Sequence, residues 1–269
     1  MIICFAHYKG GTGKTTSCLS VAGFLALRGY KVLVVDLDPQ GNATSGLGVD
    51  KDTINKNMYH VMKKNEEISR IIVAGPVKGL HIAPAKQELE LAALRAYRRK
   101  TEAQVLINAL EKVKGYYDFI LIDTPPVHGH FIINGLAAAD KVIVVLDPGV
   151  FALEGIETLQ NAFGNFFDKL GLKLSIDAAL ITRAPGFKLF RKNYALEMKK
   201  EVEILLGRKV YMIPYSDNVY DCHVWGLPIS HLKPGSKVGQ AYSKVVDDII
   251  EEYETKHKVE GMLEGEDEV

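Results

Sequence analysis

Seven short apolar runs, many of them β-branched, punctuate the chain: 2–6 (IICFA), 31–38 (KVLVVDLD), 80–84 (LHIAP), 119–124 (FILIDT), 141–147 (KVIVVLD), 177–182 (DAALIT) and 210–214 (VYMIP). Continuous apolar runs, rather than alternating ones, predict strands covered on both faces. Between them lie longer stretches whose apolar positions recur at helical spacing, at 14–29, 86–114, 130–139, 153–170, 188–206 and 236–254. Strand and helix in alternation predict an α/β fold: a doubly wound, mostly parallel sheet with helices on both faces and right-handed crossovers. No repeat or Pro/Gly/Ser-rich linker interrupts the pattern, so 1–254 reads as a single domain. Apolar periodicity ends near Tyr253, and 255–269 reads as an acidic, flexible tail.

Composition narrows the chemistry. Lys+Arg and Asp+Glu balance at 33 each, so a polyanion would have to be met by a local patch. Cys4, Cys18 and Cys222 are scattered without metal-ligand spacing, which fits a reducing, cytoplasmic setting. The longest apolar runs fall short of the roughly 20 residues of a membrane span. No basic segment precedes an apolar one at the N-terminus, and no export signal is expected. An acidic end is a poor membrane anchor, so no membrane partner is expected.

The segment HYKGGTGKTT (7–16) follows the first predicted strand and opens the first predicted helix, the context of a phosphate-binding loop. Gly10, Gly11 and Gly13 let successive N–H groups turn inward, and the helix start adds its positive end. Lys14 would reach the β- and γ-phosphates, the Thr15 hydroxyl Mg²⁺, and Thr16 the α-phosphate. The common G-x-x-x-x-G-K-[ST] spacing fails, because Tyr8 stands where its first glycine belongs. What stands instead is Lys9-Gly10-Gly11-Thr12-Gly13-Lys14-Thr15. A lysine heading such a loop cannot curl onto phosphates its own backbone wraps, and is placed to reach a second molecule as an arginine finger does.

Two carboxylate sites follow at strand ends, where ligand crevices of such sheets lie. In VVDLDPQ, Asp36 and Asp38 leave the strand on one face; Asp36 either faces the nucleotide or holds the loop by capping or pairing with a lysine. FILIDTPP has the Walker B arrangement, with Asp123 on Mg²⁺ directly or through water. Thr124, Pro125 and Pro126 then begin a loop that could sense the γ-phosphate. His128 and His130 in that loop are a metal pair lacking a third ligand, or solvated residues.

Together with VLVVDLDPQGNATSGLG (32–48), YDFILIDTPP (117–126), NGLAAADKVIVV (134–145) and FALEGIETL (151–159), the loop resembles the ParA/MinD family of deviant Walker A ATPases, within it the ParA-type partition proteins. The resemblance implies a P-loop NTPase fold of the SIMIBI type and Mg²⁺-dependent hydrolysis of ATP. It implies a homodimer with ATP sandwiched between subunits, switching to partition or position DNA or another cargo under a stimulating partner protein. Catalysis falls to Lys9, Lys14 and Asp38, with Asp38 directing the attacking water, and Thr15, Asp38 and Asp123 surround the metal. Lys9 to Thr16 bind the phosphates, and Thr182, Arg183 and Pro214, after the last two strands, neighbour the adenine; Arg183 can equally be a surface ion pair.

One element departs from the family: Pro214-Tyr215-Ser216-Asp217-Asn218-Val219-Tyr220-Asp221 stands where an Arg-Asn-x-Arg stretch is usual. DNA contact through it is in doubt. Arg95, Arg98 and Arg99 on one predicted helix face, and Lys188, Arg191 and Lys192 on another, form a candidate nonspecific DNA patch or plain solvated faces. The competing readings are a MinD-like division-site or cargo-positioning ATPase not acting on DNA, an electron carrier like the iron protein of nitrogenase, and an ATP-using ligase or amidase of the same fold.

Overall fold

The computed structural model describes residues 1–93, 103–126, 129–148, 156, 164, 176–184 and 189–266. Among them, eight strands pair into one sheet: β1 (Ile2–Ala6), β2 (Val32–Asp36), β3 (Val73–Ala74), β4 (Leu80–Ala83), β5 (Phe119–Asp123), β6 (Lys141–Leu146), β7 (Ala178–Ala184) and β8 (Lys209–Pro214). Their order is β3-β4-β2-β5-β1-β6-β7-β8, parallel throughout except for β3 against β4. The two-residue β3 is too short to leave a run in the sequence.

The described helices are α1 (Lys14–Leu27), α2 (Asn42–Gly46), α3 (Met58–Met62), α4 (Glu90–Ala93), α5 (Val105–Glu111), α6 (His130–Ala138), α7 (Leu189–Leu206), α8 (Asn218–Trp225), α9 (Ile229–Leu232) and α10 (Lys237–Glu266). Apolar residues gather into two cores, one on each side of the sheet. Cys4, Leu33, Val35 and Ile122 meet Leu106, Ile132 and Met198 on one face. Ile3, Phe5, Val34 and Leu121 meet Leu19, Leu25, Val238 and Tyr242 of α1 and α10 on the other. Successive residues of one strand thus enter opposite cores, which is why the runs are continuously apolar.

Two stretches differ from their pattern. The segment 86–114, expected as one helix, contains a 3-10 turn at Gln87–Leu89, then α4, and beyond 94–102 the separate α5. Ala103, Val105, Leu106, Leu110 and Val113 all pack into one core. At the other end, α10 continues past Tyr253 to Glu266; residues of high helix propensity such as Glu, Lys and Met sustain it, and residues 254–258 are exposed. The predicted helix 153–170 lies outside the described residues, apart from isolated positions 156 and 164.

Strand register decides what happens at the carboxyl edge. Asp123 stands level with both Phe5 and Asp36 on the strands either side. The loop after β1 and the acids ending β2 and β5 therefore open into one crevice.

Candidate nucleotide site

After β1 the chain turns through Gly11 (φ 72°) and Gly13 (φ 93°), left-handed conformations that glycine adopts without strain. Gly13 immediately precedes α1, whose first turn has no side-chain cap and no acidic residue. Its unpaired N–H groups and positive end are left facing the crevice. The loop is pinned from beneath by Thr182, whose hydroxyl lies 2.7 Å from the Thr12 carbonyl oxygen and 3.1 Å from that of Leu146. A Cβ on Gly13 would stand 3.3 Å from Thr182 Cγ2, so the fit beneath the loop is close.

A cleft of about 570 Å³ runs along the loop, walled by Gly10, Lys14, Thr15, Thr16, Asp38 and Pro126. It adjoins a second pocket of about 320 Å³, lined by Thr182, Arg183, Pro214, Tyr215, Asp217 and Tyr242 among others. Gly11, Gly13 and Thr16 border both. The three residues named from sequence as adenine neighbours are thus in one pocket beside the loop.

The charged groups of the cleft are buried. Lys14 Nζ donates to the Lys9 carbonyl oxygen at 3.1 Å, and burial lowers its pKa against the opposing pull of Asp123 and Asp38. Asp123 Oδ2 accepts the Thr15 hydroxyl at 2.7 Å, while its Oδ1 is buried without a partner. Burial pushes the Asp123 carboxyl well above the usual range, Asp36 adding repulsion and the Thr15 hydrogen bond opposing. A buried carboxylate oxygen left unpaired is costly. A hard cation taking oxygen ligands from Asp123 and Thr15 fits that donor set. Thr12 Oγ1 is likewise buried without a partner.

Of the two acids ending β2, Asp36 holds the loop. It accepts from the Thr44 backbone N–H at 2.9 Å, the Thr44 hydroxyl at 2.7 Å and the Asp38 N–H at 3.1 Å. Burial pushes its pKa up to about 6, the Thr44 bonds opposing. Asp38 accepts the Gln40 N–H at 3.0 Å and forms part of the cleft wall. Thr124 donates to the Phe5 carbonyl oxygen at 2.7 Å, fastening the segment after β5 to β1.

Lys9 is occupied within its own chain. Its Nζ lies 3.3 Å from Asp147 Oδ1, with the lysine side chain about half exposed. Arg183, left-handed at φ 53°, reaches the same carboxylate at 3.7 Å and donates to the Gly11 carbonyl oxygen. Arg183 therefore makes an ion pair and lines the pocket as well. Asp147 escaped the sequence reading as a site residue; its signal was an acid following β6, the neighbour of the strand that feeds the loop. His223 of α8 escaped too, with Nε2 3.1 Å from Thr16 Oγ1.

Arg95, Arg98, Arg99, Lys188 and His128 lie outside the described residues, and Arg191 and Lys192 stand near the start of α7. His130 is buried at the start of α6 beside Asn134, whose Nδ2 is 3.2 Å from its Nδ1. Tyr215 and Tyr220, where the family's arginines would stand, are exposed. No helix among the described residues is long and apolar enough to cross a membrane.

Comparison with known proteins fits this geometry. Residues 1–176 match the model of an AAA domain family. The chromosome-partitioning ATPase Soj of Treponema pallidum is 34% identical over 250 residues, covering 92% of this chain and 96% of that protein. Cobyrinic acid a,c-diamide synthase of Mycobacterium smegmatis, with a bound ATP analogue and magnesium, superposes with a TM-score of 0.78 at 27% identity, over 95% of this chain and 96% of the other. The septum site-determining protein MinD of Pyrococcus horikoshii, complexed with Mg-ADP, superposes with a TM-score of 0.73 at 25% identity, over 92% and 95%.

Proposed function

The chain belongs to the ParA/MinD family of partition ATPases, and from that premise we propose that it is a Mg²⁺-dependent dimer switch, sandwiching ATP between two copies to partition or position a cargo, foremost DNA. One observation carries the reading: the uncapped start of α1 and the buried Lys14 line the cleft together with Thr15, whose hydroxyl donates to Asp123, a carboxylate whose Oδ1 has no partner.

On binding ATP, Lys14 exchanges the Lys9 carbonyl for the β- and γ-phosphates, and Thr16 takes the α-phosphate. Thr15 and Asp123 would hold Mg²⁺, whose charge neutralises phosphate oxygens. Asp38 directs the attacking water. Lys9 leaves Asp147 and answers the triphosphate held by the neighbouring copy, so that the γ-phosphate is the reason for the dimer to stay closed. Hydrolysis, accelerated by a partner protein in the cytoplasm, releases it. Residues 1–254 form the ATPase domain, and the acidic segment beyond it continues α10 as far as Glu266.

Sizing the protein by light scattering with ADP, with ATP, and as Asp38→Ala with ATP tests this. A stable dimer is expected only in the last case or with a slowly hydrolysed analogue; a monomer throughout overturns the switch. Phosphate release that requires a small-molecule acid would favour a ligase or amidase of the same fold instead.

A further inference from the structure

α8 begins behind Asp217 and ends at Gly226, whose φ of 61° turns the chain away. Tyr220, Val224 and Trp225 stand 72%, 62% and 71% exposed, and Cys222 enters the core. His223 turns toward the nucleotide cleft. With Gly11, Gly13 and Thr16, it borders both the phosphate cleft and the adjoining pocket. Whatever joins a triphosphate to a base, the ribose and α-phosphate, has to cross that junction.

His223 Nε2 lies 3.1 Å from Thr16 Oγ1. Partial desolvation pulls the imidazole below the usual histidine range, which favours the neutral ring. A neutral ring and a hydroxyl that share one hydrogen bond keep one donor in reserve. It is the Thr16 O–H if the ring donates from Nε2, and Nδ1–H if the hydroxyl donates. Nδ1 faces Gly46, where an added Cβ would come within 3.3 Å, so of these two donors only the hydroxyl is placed to meet an anion in the cleft. The same helix is keyed into the segment after Asp38 a second time: a Cβ on Gly226 would fall 2.5 Å from Gly48 Cα.

We infer that His223 is a positioning residue for the nucleotide, directing the Thr16 hydroxyl at the α-phosphate and tying α8 to occupancy of the site. The inference rests on the nucleotide reading above and adds a residue from outside every motif. It also makes α8, with its exposed aromatic side chains, the element that registers the bound nucleotide.

ADP suffices for the test, because it carries the α-phosphate and ribose without the γ-phosphate. Binding is measured by titration calorimetry on the full chain while Trp225, its single tryptophan, reports on α8 through its emission. His223→Ala is expected to weaken ADP about tenfold, the loss of one hydrogen bond to a charged group, and to abolish the emission change seen in the wild type. His223→Gln, whose amide nitrogen can replace Nε2, restores both, whereas the shorter His223→Asn does not. Wild-type affinity in His223→Ala, or equal affinity in the Gln and Asn variants should the Ala variant not fold, overturns the positioning role. ADP binding that leaves wild-type Trp225 emission unmoved overturns the tie to α8. Lys14→Ala loses ADP in either case, so a wild-type protein that binds no ADP overturns the nucleotide reading itself.

Discussion

The loop after β1 and the segment after β8 border the same pocket, yet they are built on opposite terms. In the first, the backbone shapes the site: two left-handed glycines, an uncapped helix start and a threonine strut leave little room for substitution. In the second, Cys222 and His223 of α8 turn inward, while Tyr215, Tyr220 and Trp225 occupy exposed positions. Phosphate chemistry constrains the first region, and the outward face of the second is free to vary. The fold can therefore keep its nucleotide site while changing what its surface touches.

The largest effect should come from the constrained region. Asp123→Asn replaces the orphaned oxygen with a group no longer anionic and weakens the hydrogen bond that the Thr15 hydroxyl donates. ATP turnover measured by phosphate release should fall by about a hundredfold or more, on the order of losing one preorganised electrostatic group. Excess EDTA should bring the wild type to the same level. If Asp123→Asn turns over at the wild-type rate, the cleft around Thr15 is not where the metal acts.

Basic residues outside both regions give a smaller, graded effect. Replacing Arg98, Arg99, Arg191 and Lys192 with alanine should flatten the dependence of duplex DNA retention on salt, by about 0.9 in log–log slope for each phosphate that the protein ceases to neutralise. Since Tyr215, Asp217, Tyr220 and Asp221 offer no cation where the family places arginines, DNA retention must come from such patches or be absent. An unchanged slope removes these four residues from the DNA reading and strengthens the MinD-like alternative.

The two regions were also unequally legible. The run IICFA matches β1 residue for residue, because a strand buried on both faces must be apolar throughout. The phosphate loop was readable because glycine, lysine and threonine at those offsets have few other uses together. Asp147 was not readable: its role depends on β6 lying beside β1, with Ala6 level with Val144, an adjacency that sequence order conceals. His223 meets Thr16 from 207 residues away, and no local pattern marks it. From the sequence Asp36 reads as a nucleotide ligand as much as a loop anchor; Thr44, closing on it from α2, makes it the anchor.

The smallest effect concerns Lys9, in the loop after β1. Its ammonium is held by Asp147, which also holds Arg183 at the rim of the second pocket. To reach a neighbouring copy, Lys9 must first abandon this ion pair. The lysine is about half exposed, and such pairs contribute about 0.2–1 kcal/mol. Asp147→Asn should therefore lower the ATP concentration at which an Asp38→Ala background dimerises, by no more than about fivefold. Lys9→Ala in the same background should remain monomeric at every ATP concentration while still binding nucleotide. Sizing across an ATP titration separates the cases, since a lysine that works only within its own chain would make Asp147→Asn and Lys9→Ala move the midpoint in the same direction.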